Sequence, residues 1–301
     1  VQRTLFEVFR EHNDKCVQLS GTDMAPATVQ RYETSLKHTR DFVWETYHKK
    51  DVLLDEVSRQ FIEDYEFWLK TEKKCCHNTA TKYLKNFKKI TRIALAKGWM
   101  KNDPFLEIRF SLDKVEPDFL EDSEIQKLIS KEIDIPRLSQ VRDIFVFCCF
   151  TGLAFSDIHG LRKEHIVEDS NGARWIRKGR QKTKIMCNIP LIEIPLKILE
   201  KYSTNEYCKK HGVLFPVLCN QKMNAYLKEL ADICGIKKTL TTHVGRHTFA
   251  TFALANGVSI ESVAKMLGHT NVQMTRHYAR VLDRTVIREM SQIKMDLHFS
   301  M

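Results

Sequence analysis

Apolar residues recur along most of this chain at helical spacing, with one short stretch that alternates instead. Leu5, Phe6, Phe9 and Cys16 share one side of a helix over 4–19. After Pro26, the residues Val29, Tyr32, Leu36 and Val43 mark the inward face of a long second helix. Ser58 is a good N-cap for a third, in which Phe61, Ile62, Tyr65, Trp68 and Leu69 form an amphipathic stripe. A fourth begins at Asn78, turns Tyr83, Phe87, Ile90 and Ala94 inward and stops at Gly98. Its outward set is Lys82, Lys85, Lys88, Lys89 and Arg92. An Asn-Asp-Pro turn at 102–104 follows, and the segment 109–118, with Pro117, reads as a linker.

Beyond it, a helix over 122–129 precedes a strongly apolar one over 138–150, with Val141, Ile144, Phe145 and Cys148 buried. Thr151-Gly152-Leu153 ends that helix, and Ser156 is placed to cap a short one. The period then changes. Residues 165–168, 174–182 and 184–190 read as strands, the first two joined by a Ser170-Asn171-Gly172 hairpin turn. Helical spacing returns over 191–202 and over 220–234, the latter with Met223, Tyr226, Leu227 and Leu230 inward. Residues 242–255 form a helix opened by Thr241 or Thr242 and closed by Asn256-Gly257. Another starts at Ser259, carries Ile260, Val263, Ala264 and Leu267, and ends at Gly268. Tyr278 falls on a third short helical segment. Asp283 caps a last helix whose stripe is Val286, Ile287, Met290 and Ile293; it packs on its own core or on a neighbouring protomer. The pattern predicts a mainly α chain with a small antiparallel β-sheet, in two domains, 1–108 and 119–301.

The 301 residues suffice for two cores. A formal charge of +10 and a pI of about 9.1 suit a polyanionic partner, nucleic acid before membrane; a merely basic protein is the plain alternative. With no signal-peptide pattern and no apolar run of about 18 residues, a soluble cytoplasmic protein is expected, nucleoid-associated if DNA is the partner. The nine cysteines lack C-x-x-C and zinc-ligand spacing, so the vicinal pairs Cys75-Cys76 and Cys148-Cys149 read as reduced thiols.

The chemistry concentrates between Thr239 and Arg280. His243 and Arg246 stand one helical turn apart, His269 follows a helix end, and Tyr278 lies just beyond. A free tyrosine titrates near ~10 and is a weak nucleophile until a base or cationic field assists it. A guanidinium is well shaped to hold the non-bridging oxygens of a phosphodiester. A zinc pair at His243 and His247 is the alternative, but no H-E-x-x-H and no third ligand accompanies it. His247 reads as structural and His277 as a surface residue.

HVGRHTFAT, LGH and HYAR, in this order and spacing, resemble the boxes of the tyrosine recombinase (phage integrase) family. The resemblance implies a two-domain DNA clamp, a helical core-binding (SAM-like) domain joined to a catalytic domain. It implies strand cleavage that leaves a 3′-phosphotyrosine link and a free 5′-hydroxyl, then rejoining to another strand, with no metal and no nucleotide cofactor. Tyr278 would be the nucleophile, Arg246 the phosphate clamp, and His243 and His269 phosphate donors or proton shuttles. Lys182, in QKTKIMCNIPL, matches the family's hairpin lysine, the general acid for the leaving 5′-oxygen. TGL-x-x-SDI is similar to the first arginine box, but Ala154 stands where the family has arginine. Certain integrases of conjugative transposons share that lack.

Arg180, two residues before Lys182 and so on the same strand face, is expected to replace the missing guanidinium; Arg142, Arg162 and Arg174 are rivals. Asp157 either orients a basic group or caps the short helix. The basic face Lys82, Lys85, Lys88, Lys89 and Arg92 is a phosphate-backbone track or a solvated surface. The implied partners are double-stranded DNA at attachment sites, three further copies in a homo-tetramer on DNA (a monomer without it) and a DNA-bending accessory protein. The implied process is DNA integration of a mobile element. A type IB topoisomerase and a catalytically inactive DNA-binding relative are the alternatives.

Overall fold

The computed structural model describes residues 2–276, 278, 290 and 291. The chain divides into two compact units, Val1–Val115 and Glu116–Met301.

The first unit holds four long helices, α1 (Leu5–Gln18), α2 (Pro26–Tyr47), α3 (Arg59–Thr71) and α4 (His77–Ala96). Local chemistry sets their starts. The Thr4 backbone N–H donates to Glu7 (3.0 Å), Pro26 opens α2, and Ser58 Oγ accepts from the Phe61 N–H at 3.3 Å. The core is aromatic. Phe42 is fully buried and meets Tyr47, Phe61, Tyr65 and Trp68 with ring centroids 5.0–5.8 Å apart. On α4 the buried set is Leu84, Phe87, Ile90 and Ala94, whereas Tyr83 is half-buried against His38. The start of the 109–118 segment is fastened to this unit. Phe110 packs on Phe105, the Asn78 side chain brackets the Asp113 backbone (2.9 and 2.8 Å), and the His77 ring meets the Ser111 carbonyl.

The second unit is organised on α6 (Pro136–Thr151), which is apolar nearly all round, so neighbours can cover every side. Around it pack α5 (Asp122–Ser130), α8 (Glu193–Tyr202), α10 (Asn220–Ile233) and α11 (Thr242–Ala255). Gly245 lets α11 approach closely: a Cβ there would lie 3.2 Å from the Phe145 ring and 3.3 Å from Cys148. The buried Asp143 carboxylate of α6 accepts from Arg142, Lys201 (2.6 Å) and Tyr202 (3.0 Å), which ties the helix to the end of α8. The short α7 (Phe155–His159) leads to an antiparallel sheet of β1 (Ile166–Glu168), β2 (Arg174–Gly179) and β3 (Met186–Pro190), ordered β1-β2-β3. Its register pairs Ile166 with Ile176 and Ile176 with Ile189, so one row of isoleucines faces the core. The remaining helices are α9 (Glu206–His211), between α8 and α10, and α12 (Ile260–Leu267) and α13 (Gln273–Arg276), which follow α11.

Several expectations need correction. The strands stop at Gly179 and resume at Met186, so Arg180 and Lys182 lie on the hairpin turn, and strand alternation says nothing about a shared face. The Arg180 N–H bonds the Ile185 carbonyl (2.9 Å), and Lys184 takes a left-handed conformation (φ 60°) to close the loop. Ala154, not Ser156, is the N-cap of α7. The α9 helix lies in a stretch without apolar period; it is nucleated by Asn205, whose side chain accepts from the Cys208 N–H. Tyr278 lies two residues past α13. The expected terminal helix (Asp283, Val286, Ile287, Ile293) and His277 lie outside the described residues; Met290 of that stripe is described and is exposed. All nine cysteines are free thiols. Among the described residues no helix is long and apolar enough to cross a membrane.

Gly152 ends α6 with φ 67°, and a Cβ there would fall 2.4 Å from the Phe249 ring and 2.8 Å from Leu267. Left-handed strain and overpacking therefore add. Gly152→Ala is expected to lower stability by about 2–4 kcal/mol in urea denaturation of the intact chain, whereas Gly172→Ala, in open space on a hairpin turn, is expected to cost about 1 kcal/mol.

Candidate active site

Arg246 is the centre of the site. It is 3% exposed on α11, and its guanidinium sits between two helix ends. One NH1 hydrogen goes to the Gly152 carbonyl (2.7 Å); NH2 donates to the Leu267 carbonyl (2.7 Å) and to His269 Nε2 (3.1 Å). Gly152 is the C-cap of α6 and Leu267 the last residue of α12, so both carbonyls belong to the negative ends of helices. Burying a cation costs on the order of several kcal/mol, and charged hydrogen bonds worth roughly 1.5–3 kcal/mol each offset it. The Nε–H and the second NH1 hydrogen meet no partner among the described residues.

Gly268, left-handed at φ 61°, turns the chain after α12 and presents His269. A Cβ on Gly268 would lie 2.7 Å from both Arg180 Cδ and Cys187 Sγ. His269 Nδ1 lies 2.8 Å from the hydroxyl of Thr275, which is fully buried. Burial, then the charges of Arg246 and Arg180, push the His269 pKa down from 6.5 to about 4. Tyr278 is 8% exposed, and its ring lies nearly parallel to His269 at 6.1 Å. It also packs 4.9 Å from the His247 ring, over a small apolar cluster of Phe249, Ala250, Ala253, Val263 and Leu267. His243 stands exposed at the start of α11 and stacks edge-on with His247 (4.2 Å). Desolvation and the charges of Arg246, Arg180 and Lys182 lower its pKa as well.

The β2–β3 hairpin supplies the other wall. Arg180 Nε lies 3.4 Å from Asp157 Oδ2, and Asp157 Oδ1 accepts from the Gln181 N–H at 2.8 Å. Asp157, 1% exposed, thus anchors the hairpin and is not the helix cap. The Arg180 side chain borders the Gly268 corner that presents His269, and its charge lowers the pKa of Arg246, His243 and His269. Lys182 is exposed on the turn. Arg142 is occupied by Asp143 and the Lys131 carbonyl, and Arg162 and Arg174 are exposed elsewhere. Ala154 contributes no donor. Cys187 beneath the site is held as a thiol, its pKa raised to about 11 by burial.

In the first unit, Lys85, Lys88, Lys89 and Arg92 line a shallow hollow with Phe110. The Lys88 ammonium is 5.4 Å from the rings of both Phe105 and Phe110, and Lys89 donates to the Tyr32 hydroxyl (3.0 Å). Lys82 is exposed on the same helix but outside the hollow. Among the described residues, no group of three or more histidine, cysteine, aspartate or glutamate side chains is arranged to hold a metal ion.

Residues 118–285 match the phage integrase family, and residues 4–114 match the phage integrase SAM-like domain. The chain belongs to the phage integrase family, the tyrosine recombinases. It is a site-specific recombinase by that membership. A tyrosine recombinase of Pseudothermotoga lettingae is 29% identical over 265 residues, covering 85% of this chain and 88% of the relative. Tyrosine recombinase XerD of Oceanobacillus iheyensis is 26% identical over 266 residues, 84% and 87% of the two chains. Among solved structures, a lambda integrase dimer bound to a COC′ core site has the same fold, with TM-score 0.74 at 16% identity, covering 99% of this chain and 100% of that one. The Tn1549 transposon integrase in complex with a circular intermediate DNA gives 0.70 at 16% identity, covering 96% and 99%.

The depressed His269 pKa has a measurable sign. Folded protein binds fewer protons than unfolded protein between about 4 and 6.5, so stability present above 6.5 is lost as pH falls toward 4. His269→Gln is expected to flatten this loss in urea denaturation across the window; an unchanged slope would assign the loss to other groups.

Proposed function

We propose that this recombinase cleaves and rejoins double-stranded DNA through the Tyr278 hydroxyl. The observation that carries the reading is the buried Arg246, with hydrogens still unpartnered among the described residues, set beside His269 and the Tyr278 ring. Tyr278 attacks the scissile phosphorus while the P–O5′ bond breaks. The tyrosine proton leaves to solvent or a neighbouring base, and Lys182 on the exposed turn gives a proton to the departing 5′-oxygen. A free 5′-hydroxyl of another strand then reverses the step, so the phosphotyrosine linkage conserves the bond energy and no nucleotide cofactor is required. Arg246 and Arg180 hold the non-bridging oxygens as charge builds on them. Arg180 takes the part that Ala154 cannot, because Asp157 fixes the hairpin that carries it. His243, at the mouth, hydrogen-bonds the phosphate.

In this reading residues 1–108 are a core-binding domain, 109–118 the linker and 119–301 the catalytic domain. The α4 face (Lys82, Lys85, Lys88, Lys89, Arg92) tracks the phosphate backbone. The lambda integrase neighbours include a dimer on a core site and a tetramer on a Holliday junction. They support a homo-tetramer on DNA here, and the transposon integrase neighbours support integration of a mobile element; a monomer without DNA and assistance by a DNA-bending protein complete the proposal.

A pool of nicked duplexes with randomised cores, incubated with EDTA and quenched with detergent, tests the chemistry. Wild type is expected to form a covalent adduct and Tyr278→Phe none; Arg246→Ala and Arg180→Ala are expected to be roughly 100- to 1,000-fold slower. Adduct from Tyr278→Phe would point to another nucleophile. Wild-type rates from Arg180→Ala would sink the substitution of one arginine for another. Tight DNA binding with no adduct would favour an inactive DNA-binding relative. For the α4 face, replacing Lys85, Lys88 and Lys89 by alanine is expected to reduce the slope of log affinity against log salt by about 2–3.

A further inference from the structure

We propose that Thr275 is a positioning residue that fixes the tautomer of His269 and, through the same peptide, the placement of Tyr278. The inference rests on the tyrosine chemistry above for its kinetic consequence only. Its structural part stands on hydrogen bonds.

A guanidinium nitrogen donates and never accepts. Arg246 NH2 lies 3.1 Å from His269 Nε2, so Nε2 is the accepting, unprotonated nitrogen. The proton of the neutral ring is therefore on Nδ1. That nitrogen is 2.8 Å from Thr275 Oγ1, which accepts it. Burial and two neighbouring cations keep the ring neutral. The Thr275 side chain is wholly inaccessible to water, so no solvent molecule replaces its oxygen at the surface of this site. Leaving a buried N–H without a partner is costly, because its lost hydration is not replaced. Without the hydroxyl, the ring is released to turn or to move its proton to Nε2, where it faces a donor.

The backbone of Thr275 acts on the second group. Its carbonyl accepts from the Tyr278 N–H at 2.9 Å. Thr275 thus spans the histidine that orients Arg246 and the tyrosine that meets the phosphate. In this geometry His269 works as an acceptor that holds the guanidinium in register, with Thr275 as the outer partner in the chain Thr275–His269–Arg246.

The test combines kinetics with a spectroscopic signature. Thr275→Val removes the hydroxyl and keeps the shape; Thr275→Ser keeps the hydroxyl. On nicked duplexes enriched by wild type from the randomised pool, Thr275→Val is expected to form adduct about 10- to 100-fold more slowly at saturating DNA. Its half-saturating concentration is expected to stay within about 2-fold, and Thr275→Ser to recover most of the rate. The ¹⁵N shifts of the His269 ring are expected to report the Nδ1–H tautomer in wild type and Thr275→Ser, and a mixture or the other tautomer in Thr275→Val. A wild-type rate in Thr275→Val, equal losses in Val and Ser, or an unchanged tautomer in Val would each overturn the proposal. Absence of adduct from wild type would instead overturn the tyrosine chemistry, and the ring shifts alone would then decide the role of Thr275.

Discussion

A buried guanidinium must be solvated by something, and at Arg246 the solvent is two helix ends. The carbonyls of Gly152 and Leu267 replace water around the cation. They converge because α6 and α12 both terminate there. Everything else in the site follows from that convergence. The residues after α6 lead into α7 and Asp157, which anchors the hairpin. The residues after α12 lead into His269, Thr275 and Tyr278. A long apolar helix, α6, is needed to hold its own C-terminus rigidly against α11, and Gly245 permits the close crossing.

The electrostatics are consistent with a pocket built for an anion. Arg246 and Arg180 lower the proton affinity of both histidines, His243 and His269, and burial and the Arg180 charge disfavour the charged form of Arg246. The positive charge is carried by guanidinium groups, while burial and that charge hold the imidazoles neutral and His269 accepts from Arg246. A phosphodiester would relieve the repulsion between the two arginines, which gives binding and charge stabilisation a common origin.

Much of this was legible in the residues themselves. Helical period placed α2, α3, α6, α10 and α11 closely, because each is long and one-sided or wholly apolar. The boxes around His243, Arg246, His269 and Tyr278 identified residues that the fold brings to one place. What escaped reading has a physical reason in each case. The helix α9 is six residues held by one cap and one buried cysteine, too short for a period. Alternation carries the strand on through Lys182 because it does not reveal where a ladder stops; that is decided by the Arg180–Ile185 backbone bond and the left-handed Lys184. Alternation puts Arg180 on a strand face, whereas in the fold it lies on the turn and pairs with Asp157. Ser156 is a plausible cap by residue type, but α7 begins two residues earlier than it would require. Two of the three partners of Arg246 are main-chain carbonyls, which every residue carries and no letter announces. Thr275 has no sequence signal beyond its spacing from two recognised residues.

The two left-handed glycines, Gly152 and Gly268, have a consequence for how such a site varies. Neither tolerates a side chain: one faces Phe249 and Leu267, the other Arg180 and Cys187. The cations around them are less constrained, since a charge delivered to the same point from another loop serves the same phosphate. Drift among descendants is then channelled. The origin of a guanidinium can migrate from one segment to another, as proposed above for Arg180, while the backbone corners that frame the pocket stay fixed. A recogniser built on those corners would follow the lineage further than one built on its charged residues.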